Sequence, residues 1–139
     1  MIGEARSDEE ILATREVMLQ LRTAMAPGDC LPTVRRMMAD GYRLAARRDE
    51  AGVVRAVAGY RLFEMLYAGP ILYVDDLITD AESRSGGHGK ALLDWLKEQA
   101  RAAGCAQLHL DSGVQREKAH RFYFREGMGV NAYHFRIEL

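Results

Sequence analysis

Three groups of residues in this chain could do chemistry. Asp75 and Asp76 are adjacent carboxylates inside the apolar run ILYVDDLIT (71–79). The segment RSGGHGK, from Arg84 to Lys90, gathers three glycines, an arginine, a histidine and a lysine at the head of an amphipathic stretch. Tyr123 stands within REKAHRFYFREGM (116–128). A carboxylate can take a proton from an ammonium, and a phenol can give one to a leaving group. A glycine loop that opens a helix can hold an anion. The first amides of the helix have no internal partner there, and the macrodipole adds partial positive charge. Glycines let the backbone approach a ligand and permit positive φ.

Two familiar phosphate loops do not fit. A Walker A loop requires Ser or Thr after its Gly-Lys, but Gly89-Lys90 is followed by Ala91, and the place of its first glycine holds Arg84. A dinucleotide loop read from Gly87 lacks its last glycine, because Leu92 stands there. The pattern that remains is Arg84-x-x-Gly87-x-Gly89.

The elements that must position these groups are legible from periodicity and punctuation. Ser7 or Asp8 caps a helix running to about Thr23, with Ile11 and Leu12 recurring seven residues on as Met18 and Leu19, and Val17 and Leu21 broadening that apolar stripe. APGDCLP (26–32) reads as a break, and a second helix follows from about Thr33 to Asp40, closed by Gly41. YRLAARRD and VVRAVAGYRLFEML flank EAG (50–52) as a hairpin, and Gly69-Pro70 marks the next boundary. Strand 71–79 then feeds the glycine loop and a helix. CAQLHLDS (105–112) is a further strand, REKAHRFYFREG (116–127) a helix, and VNAYHFRIEL (130–139) a final strand. A leading strand before Ser7 is not legible. The order implies a mixed α/β fold built on one sheet, as a single domain over residues 1–139.

Composition excludes several classes. The chain has 139 residues, 48% of them apolar and 28% charged, with 19 basic against 20 acidic side chains and a net charge of -1. A nucleic-acid binder is not expected from that balance. No apolar run approaches the ~20 residues that span a bilayer, so no membrane partner is expected. The acidic opening MIGEARSDEE is unlike a signal peptide, and a cytoplasmic protein is expected. Cys30 and Cys105 are read as free thiols, and the four histidines show no metal-ligand spacing.

On the glycine-loop pattern, placed between a strand and a helix, the sequence resembles the GNAT family of acetyl-coenzyme A dependent N-acetyltransferases. REKAHRFYFREGM resembles that family's next segment at Ala119, Phe122, Tyr123 and Gly127, with Met128 in place of a phenylalanine. The family's asparagine three residues before that alanine is Arg116 here, so its contact with the coenzyme is missing or made differently. The resemblance implies a mixed central sheet with splayed fourth and fifth strands and flanking helices. It implies acetyl-CoA as co-substrate and no metal. Arg84, Ser85, Gly86, Gly87, His88, Gly89 and Lys90 would hold the diphosphate, while the backbone of Leu77, Ile78 and Thr79 would pair with the pantetheine amides. Ala119 would let the thin arm pass, with Phe122 packed beside it.

The expected reaction is direct attack by a primary amine, of a small molecule or of a peptide or protein lysine, within a ternary complex. Tyr123 would protonate the leaving sulfur. Asp75 or Asp76 would take the amine proton, directly or through water, and alignment back from Arg84 favours Asp75. Strand alternation allows one of the two to face a given cleft. Each assignment has a plainer alternative: a strand-to-helix turn for the loop, a packed hydrogen-bonded ring for Tyr123, and a structural network for the aspartates. Phe122 and Phe124 read as packing residues. A non-catalytic acyl-CoA-binding module is the rival reading of the whole chain. Homodimers are common among proteins of the resemblance.

Overall fold

A computed structural model describes residues 1–139. It divides into two compact units, Met1–His109 and Leu110–Leu139. The larger unit opens with β1 (Ile2–Glu4) and α1 (Asp8–Leu21). Ser7 is the cap. Its Oγ accepts the Glu10 amide at 3.1 Å, and Glu10 Oε1 accepts the Ser7 amide at 3.0 Å, so two orphan donors are satisfied reciprocally. Next comes α2 (Cys30–Ala39), which begins three residues before the start that the sequence suggested. Pro32, which reads as a breaker, lies in its first turn, where a proline forfeits no helical hydrogen bond.

The sheet continues with β2 (Arg43–Arg48), β3 (Val54–Met65) and β4 (Gly69–Thr79), each antiparallel to its predecessor. Gly69-Pro70 marks the boundary by opening β4 rather than preceding it: both pair with the end of β3, Gly69 opposite Met65 and Pro70 opposite Glu64. Proline is tolerated near the first residue of a strand, and the reversal falls at 66–68. After β4 come α3 (His88–Ala102) and β5 (Gln107–Leu110), which lies parallel to β4 at the end of the order β1-β2-β3-β4-β5. The fold class is thus α/β with a mixed five-stranded sheet. β4 is bound to β3 along its length, whereas β5 meets it over a short stretch.

The sheet is covered on both faces. Ile11, Val17 and Met18 of α1 and Val34 of α2 close over Leu44, Ala46, Val57 and Ile78. On the other face Leu92, Leu93 and Leu96 of α3 are fully buried, and Trp95 meets the Tyr60 ring edge-on at 6.1 Å. Ala56 and Ala58, both wholly buried, alternate with Val57, so the α3 side of β3 is lined by small residues.

The smaller unit contains one helix, α4 (Glu117–Arg125). Residues 130–139 form no strand. The alternation of Tyr133, Phe135, Ile137 and Leu139 is real, but these side chains are exposed and no ladder partner is engaged. Period-2 patterning supplies propensity, and pairing is what makes a strand. No helix is long and apolar enough to cross a membrane.

Candidate active site

The glycine loop lies where β4 leads into α3. Its entry is fixed by Asp80, whose amide donates to the Arg55 carbonyl at 2.8 Å. The Asp80 carboxylate accepts from Gln20 Nε2 at 3.1 Å and from Arg55 at 3.2 Å. Hydrogen bonds from Gln20, the Glu82 amide and Arg55 hold that carboxyl below its usual range. Beyond this anchor the chain turns through Ser85 at φ +76° and Gly87 at φ +75°. Left-handed residues beside ordinary ones curl successive amides inward, the geometry of an anion-binding nest.

The first hydrogen bond of this helix end runs from the Ala91 amide to the Gly87 carbonyl at 3.0 Å. The amides of His88 and Gly89 precede it and point out of the helix. Nothing lies within 4 Å of a Cβ built on Gly87, so the loop is open at that point. Gly86 is held close: a Cβ there would meet the His88 ring at 3.0 Å and the Ser83 carbonyl at 3.2 Å. His88 Nδ1 is buried without a hydrogen-bond partner, a polar atom available to a ligand. Arg84 is exposed, and Lys90 is paired with Asp94 at 2.7 Å one turn along.

Leu77, Ile78 and Thr79 pair with Ala58, Val57 and Ala56 of β3. In such a ladder alternate residues turn their amide and carbonyl groups away from the partner strand, here toward the β5 side. These groups lead directly into the glycine loop.

The aspartates depart from simple alternation. Gly59 opposes Asp76 and Tyr60 opposes Val74, which leaves Asp75 as the extra residue of a bulge. Both carboxylates consequently meet the same face of β3. Arg61, two residues along from Gly59, donates to both oxygens of Asp75, at 2.9 and 2.8 Å. Asp76 is buried, accepting the Tyr42 hydroxyl at 2.7 Å and Arg22 Nε at 2.8 Å, and Arg22 Nη2 also donates to the Asp75 carbonyl at 2.8 Å. Burial, then the Asp76 charge, raises Tyr42 well above the ordinary phenol value, so it is a permanent donor. A Cβ on Gly59 would lie 1.7 Å from the Tyr42 hydroxyl and 2.6 Å from Asp76 Oδ2, so the pair exists because that position is glycine. Outward from this pair the Arg61 guanidinium stacks over Phe63 and Tyr73, at 5.6 and 5.5 Å from their ring centres.

Tyr42, Arg22, Arg61 and Gly59 were not foreseen. Tyr42 and Arg22 are 34 and 54 residues from Asp76, beyond the reach of any local pattern. Gly59, a lone glycine within a strand pattern, was the available signal of a close approach.

In the smaller unit, α4 turns one face inward. Ala119 and Phe122 are half-buried and Tyr123 is buried, while Lys118, Arg121 and Arg125 are exposed. Phe124 is 57% exposed, so the packing role expected for it does not hold: it sits on the solvent side of the helix with Arg121 and Arg125. Phe122 meets Tyr123 edge-on at 5.5 Å. Tyr123 carries its phenol on the buried face of this helix. Burial raises it above the ordinary phenol value, with Arg116 opposing in part, so it remains a proton donor at neutral pH.

Elsewhere no three His, Cys, Asp or Glu side chains gather closely enough to hold a metal ion. Cys30 is buried and Cys105 half-buried, both as free thiols.

Comparison with known proteins agrees with this architecture. The chain is 36% identical over 135 residues to the uncharacterized N-acetyltransferase YhdJ of Bacillus subtilis (strain 168), covering 94% of this chain and 92% of that protein. It is 36% identical over 96 residues to the aminoalkylphosphonate N-acetyltransferase of Salmonella typhimurium, covering 69% of this chain and 60% of that one. The crystal structure of a ribosomal-protein-alanine N-acetyltransferase from Brucella melitensis biovar Abortus 2308 superposes with a TM-score of 0.85, at 14% identity, over 100% of this chain and 99% of that one. The model of the Acetyltransferase (GNAT) family matches residues 15–129. With its glycine loop, bulged fourth strand and matching relatives, the chain belongs to the GNAT acetyltransferase family.

Proposed function

We propose that this protein transfers an acetyl group from acetyl-CoA to a primary amine by direct attack within a ternary complex. The observation that carries the reading is the loop from Ser85 to Gly89. It combines two left-handed residues, outward amides at a helix start and the unpartnered His88 Nδ1. Such a cradle suits a diphosphate. Ser85, Gly86, Gly87, His88 and Gly89 hold that group, with Arg84 and Lys90 as mobile counter-charges. The backbone of Leu77, Ile78 and Thr79 aligns the pantetheine arm, and Ala119 and Phe122 flank it. When bound, the coenzyme supplies the acetyl group as an activated thioester.

Asp75 accepts the proton that the acceptor ammonium must lose, so that nitrogen has a lone pair with which to form the new bond to carbon. Asp76 is the less suitable base, because releasing it would also strand the buried Tyr42 hydroxyl. Its role is to set the bulge that presents Asp75. As the carbon–sulfur bond breaks, Tyr123 gives its proton to sulfur. An amine that also carries an anionic group suits the neighbourhood of Arg61 and Asp75. The aminoalkylphosphonate acceptor named for one relative is of that kind, and it is the first acceptor to test.

The test is free-thiol release from acetyl-CoA with a panel of aminoalkylphosphonates, other small amines and lysine peptides. Wild type is expected to turn over at least one of them. One observation favours the rival, a module that binds acyl-CoA without catalysis: both aspartates are already paired with arginines. Tight acetyl-CoA binding with no turnover on the whole panel would select that rival.

A further inference from the structure

One ion pair of the site lies where a ligand can reach it. Arg61 faces Tyr73 across the β3–β4 ladder, with Phe63 and Asp75 two residues along on the same side. That is the side on which Val57 packs under α1. Arg22, the C-cap of α1, extends to Asp75 and Asp76. Past it the surface stays open: the Arg61 side chain is 43% exposed and Phe63 40%.

Arg61 donates to Asp75 through Nε and Nη2. Its third nitrogen, Nη1, takes no part in that pair, and Phe63 and Tyr73 hold the flat guanidinium over their rings. A guanidinium oriented in this way offers a preformed fork to a phosphonate or a carboxylate. The surrounding charges say what else the ligand carries. Arg22 and Arg61 balance Asp75 and Asp76, so an acceptor with one cationic and one anionic group leaves the site neutral. Such an acceptor replaces one ion pair by two, its anion on Arg61 and its ammonium on Asp75. A plain amine must draw Asp75 away from Arg61 and leaves the guanidinium without an anion. Because the pair is partly exposed it is weakly held, and it exchanges readily.

We propose that Arg61 is the specificity-determining residue of the acceptor site. It takes the anionic group of a short zwitterionic amine and, in turning to that anion, releases Asp75 to the ammonium. The inference rests on the transfer reading for the use made of Asp75, but the binding it requires does not. The arginine-paired aspartate is then the resting state of a site that selects its acceptor by charge.

Two readouts on wild type, Arg61→Gln and Arg61→Lys separate this inference from the transfer reading. Calorimetry with coenzyme A present, and so with no acetyl group to move, compares aminoethylphosphonate with propylamine. The added charge-assisted hydrogen bonds should make wild type bind the phosphonate at least about tenfold more tightly. Arg61→Gln should bind the two about equally, and Arg61→Lys, which keeps the charge without the fork, should fall between. Thiol release from acetyl-CoA should follow the same order. In Arg61→Gln, kcat/KM should fall about tenfold or more for the phosphonate and rise for propylamine, whereas a merely structural loss lowers both. A phosphonate preference that Arg61→Gln abolishes, with no thiol release from any of the proteins, overturns the transfer reading and leaves the role of Arg61 standing. No preference in wild type, a preference that survives Arg61→Gln, or parallel losses on both acceptors overturns the inference.

Discussion

Replacing Gly59 with alanine should break the polar anchor of the bulge. The added methyl carbon would stand 1.7 Å from the Tyr42 hydroxyl oxygen, 2.3 Å from Tyr42 Cζ and 2.6 Å from Asp76 Oδ2. No side-chain adjustment absorbs those three contacts while both groups stay in place, because Tyr42 and Asp76 are buried. Overpacking of this kind costs about 1–3 kcal/mol. Loss of the hydroxyl bond to a buried carboxylate adds about 1.5–3 kcal/mol. The two losses overlap, and the expected destabilisation is about 2–4 kcal/mol. Urea unfolding followed by Trp95 fluorescence measures it. In a Tyr42→Ala background the two contacts with the ring are gone and only the 2.6 Å approach to Asp76 Oδ2 remains, so the same change should cost less than in wild type by at least about 1 kcal/mol. A cost in wild type below about 0.5 kcal/mol, or one that is equal in both backgrounds, would refute the account of the bulge.

Further expectations concern the loop, the phenol and the alkaline limb of stability. Gly87→Ala meets no neighbour but places an alanine at φ +75°. It should cost about 1–2 kcal/mol of stability and weaken acetyl-CoA binding severalfold, read by thermal shift and calorimetry. Tyr123→Phe should lower kcat by roughly 10²–10⁴ while leaving acetyl-CoA affinity within twofold, measured by thiol release and calorimetry. Tyr60 is raised to about 12 by burial and by its bond to Glu4, and Tyr42 is also raised. Neutral phenols therefore favour the folded state, an advantage that is complete below the ordinary value of 10.0. It is lost as pH rises from there through about 12. Unfolding midpoints across that range should fall less steeply in Tyr60→Phe than in wild type.

The candidate segments that lie on contiguous stretches of chain were legible in the sequence. RSGGHGK and REKAHRFYFREGM each sit on a single turn or helix, so glycine placement and helical spacing were enough to locate them. The short β1 was invisible because three residues show no period, and it is defined by pairing Ile2 with Arg47. The aspartate network was invisible for a related reason. Its geometry depends on a bulge and on partners brought in from α1 and β2, and strand parity pointed the other way. At 130–139 the pattern was read correctly and the ladder partner was missing, so alternation forecast a strand that the chain does not form.

The central claim is that the loop amides grip the diphosphate of acetyl-CoA. Titrating acetyl-CoA into ¹⁵N-labelled protein tests it most directly. The account predicts saturable shifts that are largest at the amides of Gly86 to Gly89, and weaker binding by Gly87→Ala. No binding, or shifts that bypass this loop, would contradict it.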